Sequence, residues 1–511
     1  MISTVSNIGR RVLFADVKEV NRNNVVDIIN AVKSDFLANR MECDRLLVIE
    51  SGKMPLSRKK LIRPEIDVQT VDGIAHEVAN FWESYVWGNP ISLVQRGLKD
   101  SGSPAENEGI ALLNECYTAE NAVRKQRALG HFVEITGIGY TFVDIKSEWV
   151  EGDSYFELET LDPRYAFIVR SSLYADHRPI LGVTFREDSE GNVFYTAFSS
   201  KYRFEISSDS VTDITANPLR MIPIIEWERA DDRMGVFERE IPEMDRLNLL
   251  LSDIGNNVES ETQIIWHGCD IRFPHKVDAE GKETDEVERP TSGEWILTES
   301  TKDGKQPFIK PLVANYDYAG LLNNYTTART MILERTCTPQ RNDNSGGSTG
   351  SAMSEATGYS AAEQCANAEQ LLMESSKMNE VRVALEAIRR SNKLVEKNPL
   401  MKLRYMDVKP NVTRQKTYEM TVKTTALANM LSHGINGLHA IKSVSFFDDV
   451  AQVWEDSKDL IEQYQKKAFG EDETVKAQSD DPINQIGNSP LIDGIDMVQP
   501  KELKDGNDTD R

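Results

Sequence analysis

From Ala352 to about Glu396 small and apolar residues recur at helical spacing, first Ala356, Ala361, Ala362, Ala366 and Ala368, then Met378, Val381, Leu385, Ile388 and Val395. At 1.5 Å per residue such a helix spans about 60 Å, too long for the core of a small domain. It must cross between domains or pack in an array. The 511 residues allow that, since they suffice for roughly three or four domain-sized blocks.

A second constraint lies just upstream. Phe237, Ile241, Met244, Leu247, Leu251, Ile254 and Val258 fall at spacings of three and four, which marks one long helix with a single buried stripe. Pro242 sits in its first turns, where a helix tolerates proline. Ile264 to Pro311 then changes to strand residues, turn signals and charge. Its centre, Asp278 to Arg289, holds six acids and two bases and reads as an exposed loop between strands Asp270–Phe273 and Trp295–Thr298. A helix returns through Tyr318, Leu321, Leu322, Tyr325, Ala328 and Ile332. Helix, small β insert and helix make a projecting hairpin with a charged tip.

The first 230 or so residues mix patterns and read as α+β. Ala75–Val86 and Ala105–Ala128 are amphipathic helices. Phe132–Ile145, Tyr155–Glu159, Ala166–Val169, Ile180–Arg186 and Val193–Phe198 alternate like strands, separated by turns such as Glu190-Gly191-Asn192. Beyond the hairpin, Arg341 to Gly350 is a polar, glycine-rich loop that supports no packed core. Helical blocks at about Lys416–Leu431 and Val450–Ala468 flank a turn-rich middle with Gly434, Gly437 and Asp448-Asp449. After Gly470 comes a tail with eleven acids and four bases, expected to be disordered.

Charge narrows the function. With 59 Lys+Arg against 82 Asp+Glu the chain carries −23, which excludes a free-standing DNA-coating protein. No run of about 18 apolar residues occurs and the N-terminus lacks a charged and apolar leader, so an intracellular soluble chain without membrane association is expected. The five cysteines, Cys43, Cys116, Cys269, Cys337 and Cys365, form no C-x-x-C pair and read as free buried thiols. His76-Glu77 lacks the second histidine of a zinc helix.

Catalytic signatures fail in turn. Ser51-Gly52-Lys53-Met54 has neither the upstream glycine nor the hydroxyl of a phosphate loop. Gly346-Gly347-Ser348-Thr349-Gly350 satisfies G-x-S-x-G literally, but a helix precedes it and a polar loop surrounds it, where a nucleophile elbow needs a strand before the serine and a helix after it. Gly137-Ile138-Gly139 reads as a bulge or a close backbone approach. The sequons at Asn324 and Asn411 are chance matches. Arg58-Lys59-Lys60 with Arg63 is a basic cluster that reads as a solvated face, with contact to an acidic neighbour or nucleic acid the other reading. Elaborate architecture without a catalytic constellation points to a structural or assembly part.

Three segments carry a resemblance. They are Tyr85-Val86-Trp87-Gly88-Asn89-Pro90-Ile91, then Met221-Ile222-Pro223-Ile224-Ile225-Glu226-Trp227 with Gly235 to Ile241, Asp245, Asn248, Leu251, Ser252, Asp253, Asn256, Asn257 and Glu259, and last the order of parts. Over about Arg40 to Ala468 the chain resembles the portal, or head-to-tail connector, proteins of tailed double-stranded DNA phages, in the branch found in long-tailed phages of Gram-positive hosts. Trp87 departs from that pattern, which more often has leucine there, and so does the plain acidic tail.

The resemblance implies a non-enzymatic protein without cofactor or metal. It would form a homo-oligomeric ring, usually a dodecamer, at one capsid vertex of the virion, made in the host cytoplasm. Double-stranded DNA would pass through it, and large terminase, a head-tail adaptor and the major capsid protein would contact it. In these terms residues 1–233 are wing, 234–263 with 313–337 the stem, 264–312 the clip, 338–357 the tunnel loop, 358–397 the long wing helix, 398–469 the crown and 470–511 the tail. Asn342, Asp343, Asn344, Ser345, Gly346, Gly347, Ser348, Thr349 and Gly350 would line the narrowest part. Arg329 and Arg335 are candidates for the stem lumen, with a salt bridge to a neighbouring helix the open alternative. Asp278, Glu280, Glu283, Asp285, Glu286 and Glu288 would dock partners from the clip; Asp285, Glu286 and Glu288 read as solvated rather than as an ion site. The rival readings are a minor head or scaffold protein and, with a missing phosphate loop against it, a packaging enzyme. Under the portal reading −23 takes a different sense, since a ring of acidic copies repels a duplex that must slide.

Overall fold

A short strand, β1 (Leu13–Ala15), and a 26-residue helix, α1 (Val25–Glu50), open the chain, and neither was marked in the sequence reading. Val25, Ile28, Ile29, Val32 and Phe36 on the first half of α1 are buried, against Phe167, Val183 and Phe204 of a sheet. Each such side chain contributes about 1.5–3 kcal/mol on burial. Asn39, further along α1, pairs like a peptide group with Arg11: the Arg11 N–H donates to Oδ1 (2.8 Å) and Nδ2 donates to the Arg11 carbonyl (2.9 Å). That pairing pins the approach to β1.

The structure is a computed structural model that describes residues 9–56, 66–96, 104–207, 209–262, 265–269, 271–272, 275–278, 280–287, 299–300, 308–312, 317–340, 358–391, 393, 398–414, 420–444 and 450–468. The chain divides into two compact units, Met1–Thr417 and Tyr418–Arg511. In the first, α1 is followed by α2 (Ile74–Trp87), β2 (Ser92–Gln95), α3 (Pro104–Ala119) and α4 (Ala122–Thr136). Next come β3 (Ile138–Ile145), β4 (Phe156–Leu161), β5 (Ala166–Ser171), β6 (Pro179–Glu187), β7 (Val193–Phe198), β8 (Tyr202–Ser207), β9 (Ser210–Ala216) and β10 (Ile224–Glu228). One sheet has the order β1-β5-β6-β7-β8-β9, with β1 parallel to β5 and the other pairs antiparallel. A second, antiparallel sheet runs β10-β3-β4. Mixed helices and sheets agree with the α+β reading.

Two sequence expectations need correction here. The helix expected over Ala105–Ala128 is two helices, broken where Asn121 takes a left-handed φ of 57°. Asparagine tolerates that conformation. The strand expected from Phe132 begins only at Ile138, since Phe132–Thr136 complete α4. Val133, Glu134, Ile135 and Thr136 are all buried, so the last turn has no polar face and its period is unreadable. Gly137 ends the helix with φ 79°, and a Cβ there would meet the Arg233 carbonyl oxygen at 2.5 Å. The close backbone approach expected at Gly137–Gly139 is therefore real.

After β10 a short 3-10 turn (Glu238–Glu240) leads into α5 (Ile241–Thr262), with Pro242 in its first turn. The insert holds β11 (Ile265–Cys269), β12 (Ile271–Arg272), β13 (His275–Val277), β14 (Glu283–Val287), β15 (Glu299–Ser300) and β16 (Phe308–Leu312), paired β11-β16, β12-β15 and β13-β14. Helix α6 (Tyr318–Arg335) returns. The long helix, α7 (Tyr359–Arg390), has 32 residues, about 48 Å at 1.5 Å each. It starts after Gly358, whose φ is 86°, and ends at Ser391, shorter than the pattern suggested. Ala362, Ala366, Ala384 and Ala387 on its buried face let it lie close against the second sheet. Helix α8 (Pro399–Lys402) and β17 (Val408–Asn411), which pairs with β2, finish this unit.

The second unit has helices α9 (Met420–Ser432), α10 (Gly437–Val444) and α11 (Val450–Ala468). Helix α10 occupies the stretch expected to be turns, and buries Ala440, Ile441 and Val444. The expected tail, residues 470–511, and the basic cluster Arg58, Lys59, Lys60 and Arg63 lie outside the described residues.

Candidate functional site

The helix, insert and helix expected from the sequence are present as α5, β11–β16 and α6. Their polar residues are more organised than a surface requires. Asn248, Ser252 and Asn256 lie at intervals of four on α5 and are 2 %, 4 % and 6 % exposed. They accept from alternate backbone N–H groups of the segment Ile66–Asp72: Asp72 to Asn248 Oδ1 at 2.8 Å, Thr70 to Ser252 Oγ at 3.0 Å and Val68 to Asn256 Oδ1 at 2.8 Å. The spacings match, because four helical residues rise about 6 Å and two residues of extended chain about 6.6 Å. Residues 66–72 thus form a strap laid antiparallel along the helix. Gly255 leaves room for it, since a Cβ there would sit 3.0 Å from Val68 Cγ1.

Asp72 joins the strap to the second helix as well. Its buried carboxylate accepts from the Tyr325 hydroxyl and pairs with Arg329 of α6, while Arg329 also pairs with Glu77 on α2. Burial works against the Arg329 charge, but Asp72 and Glu77 outweigh it and hold the guanidinium above its ordinary range. Arg335 pairs with Glu240 at 3.2 Å and is about half exposed. Both arginines make the ion pairs that the sequence left as the alternative to a lumen position. They sit six residues apart, about 120° around the helix, and so serve different neighbours.

The charged tip differs from the expected loop. Glu283, Asp285 and Glu286 belong to β14, which pairs with β13, so the acidic centre is a hairpin. Asp278 turns it: its Oδ1 accepts from the N–H groups of Glu280 (3.0 Å) and Lys282 (2.8 Å), and Gly281 takes φ 79°. A short polar side chain bonding its own turn overrides the weak strand propensity of the acids that follow. Asp278 and Glu280 are exposed. Glu288, the expected strand Trp295–Thr298, and all of Asn342, Asp343, Asn344, Ser345, Gly346, Gly347, Ser348, Thr349 and Gly350 lie outside the described residues.

Among the described residues no cluster of three His, Cys, Asp or Glu could hold a metal ion, and no helix is long and apolar enough to cross a membrane. Gly52 follows the end of α1 at Ser51 with a φ of 79°, and does not lie in a phosphate loop between strand and helix. Two buried carboxylates have structural partners: Glu134 takes Trp87 Nε1–H (3.0 Å) and Arg229 (3.1 Å), and Glu380 takes Lys377 (2.6 Å) and the Thr141 hydroxyl (3.1 Å), whereas neither oxygen of the buried Glu369 has a hydrogen-bond partner among the described residues.

A family model described as "Phage portal protein, SPP1 Gp6-like" matches residues 65–467, about four fifths of the chain. The chain belongs to this portal-protein family. No curated protein matches it. The family is a structural one, and the match takes in the strap, both helices, the insert and the long helix. The ladder on this portal protein was missed as a site: Asn248, Ser252 and Asn256 figured only as part of a motif. The available signal was three small polar residues at intervals of four beside the apolar stripe of Met244, Leu247 and Leu251.

Proposed function

We propose that this portal-family chain closes into a ring, as a dodecamer in the virion, at one capsid vertex of a long-tailed phage of a Gram-positive host. Double-stranded DNA passes through the ring during packaging and ejection. The insert 264–312 docks the large terminase and later the head-tail adaptor, and the wing contacts the major capsid protein. Asn342 to Gly350 line the narrowest part, where a hydrogen-bonding loop without a cation touches phosphate without ion pairs that would hold it. Arg329, paired to Asp72 and Glu77, stiffens the stem, while the half-exposed Arg335 is the better candidate to face the lumen.

The observation that carries this reading is the family match across residues 65–467, together with two helices that flank a strand-built insert. Electron microscopy of the purified protein tests it, with rings around a central hole as the expected result. A uniform monomer or a simple dimer by native mass measurement refutes it. Deleting Ser345 to Gly350 should leave the rings intact and impair packaging or retention of DNA; normal DNA-filled heads from that deletion rule out the loop's role.

A further inference from the structure

A cleft of about 1060 Å³ lies between the six-stranded sheet, the run Met221–Glu226 and α7. Its walls carry five cations on a chain whose net charge is −23. Three are matched within the cleft: Arg170 pairs with Glu226 at 2.7 Å, Arg178 with Asp176 at 3.1 Å, and Lys201 with Glu19. Those pairs use every carboxylate of the lining. Lys18 and Arg382 remain, both exposed and with no carboxylate within ion-pair distance among the described residues. Arg382 is held over the Tyr405 ring at 5.6 Å, which orients its guanidinium without neutralising it.

We propose that this cleft receives a carboxylate-bearing surface of a neighbouring copy of this chain, with Lys18 and Arg382 as its contacts. The inference rests on the ring reading above. A closed ring is built by joining two different surfaces of each copy, repeated around the axis. Copies that each carry −23 repel one another, so closure is favoured where a local positive surface meets the general negative one. The cleft supplies such a surface. Its open mouth and its apolar lining of Val20, Ile180 and Ile222 suit a protein surface better than a free phosphate, which apolar side chains do not solvate.

Two measurements on the full chain test this. In rings mixed from isotopically light and heavy subunits, a zero-length amine-to-carboxylate coupling reagent should join Lys18 to an Asp or Glu of the other label; links confined to single chains overturn the proposal. The variant Lys18→Glu with Arg382→Glu should lose rings at low salt while the subunit keeps its melting temperature, and Lys18→Gln with Arg382→Gln should close rings that are weaker at low salt and less weakened by added salt. Undiminished rings from the charge-reversed variant overturn the cleft but leave the ring reading standing, whereas a wild type without rings removes both. If the charge-reversed chain fails to fold, the coupling result and the glutamine variant decide. Pyrophosphate that binds wild type and not the variant, with rings unaffected, identifies a small-anion site and overturns the proposal.

Discussion

The strap along α5 yields a sharp prediction, because three bonds of one kind act on one short segment. In Asn248→Ala the Asp72 N–H loses its only acceptor among the described residues, in a place where Asn248 is 2 % exposed. A donor left without a partner costs about 1–3 kcal/mol when water cannot replace the acceptor. The strap is only partly buried, so about 1 kcal/mol is the expected cost of one substitution, and about 3 kcal/mol that of Asn248, Ser252 and Asn256 changed together. Since about 1.4 kcal/mol is tenfold, amides of Val68, Thr70 and Asp72 should exchange about 5-fold faster in the single variant and about 100-fold faster in the triple one.

Hydrogen exchange read by mass spectrometry on a peptide spanning residues 66–74 measures this directly. The peptides of the six-stranded sheet serve as the control, because β5 to β9 do not touch the ladder. Loosening should spread to α6, whose Arg329 and Tyr325 are held through Asp72. Unchanged exchange of residues 66–72 in the triple variant, with the sheet still protected, refutes the ladder as what holds the strap.

Two further substitutions probe α7 and α4. Burial raises the Glu369 carboxyl well above its ordinary 4.5, and the Glu134 charge beside it adds to the rise. The folded chain therefore keeps a proton that the unfolded chain releases above about pH 4.5, so this group's contribution to stability declines as pH rises beyond that point. Glu369→Gln removes the decline, and the melting temperature of variant minus wild type should grow by about 2 °C or more between pH 5 and pH 8; a pH-independent difference contradicts it. At Gly130 an added Cβ would meet the Trp87 ring at 2.4 Å, so Gly130→Ala should destabilise by about 1–3 kcal/mol in denaturant titrations despite alanine's better helix propensity. Adding Trp87→Leu should recover part of that loss, and a stabilised Gly130→Ala shows that the ring has room to move.

Elements with a clear period and a clear boundary were readable from the residues. Helix α11 and strand β7 have the expected limits, and α5 has Pro242 in its first turn, but of its expected buried stripe only Phe237, Met244 and Leu247 are buried and Val258 is 51 % exposed. Errors fell where burial removes the period. The end of α4 is apolar or buried on every side, and so resembles a strand. Helix α1 carries alternative signals: Asn39 interrupts its buried face, and Leu37, Met41 and Val48 leave apolar side chains on its exposed one. The acidic centre of the insert failed in the other direction, since strand propensity says little about a hairpin set by the turn at Asp278.

Site residues were legible only when they lay close together in sequence. The tip acids form a visible run and the ladder a visible interval, although the ladder's purpose needed the strap, about 180 residues upstream, to be in place. The cations of the cleft show the limit most clearly. Lys18, Arg170, Arg178, Lys201 and Arg382 come from one strand, one helix and three loops and never form a run, whereas Arg58-Lys59-Lys60 does. A net charge of −23 is a sum over the chain, and association depends on where the exceptions gather. An acidic chain can therefore repel the duplex that slides through its ring and still attract its own neighbour, provided the two tasks fall on different surfaces.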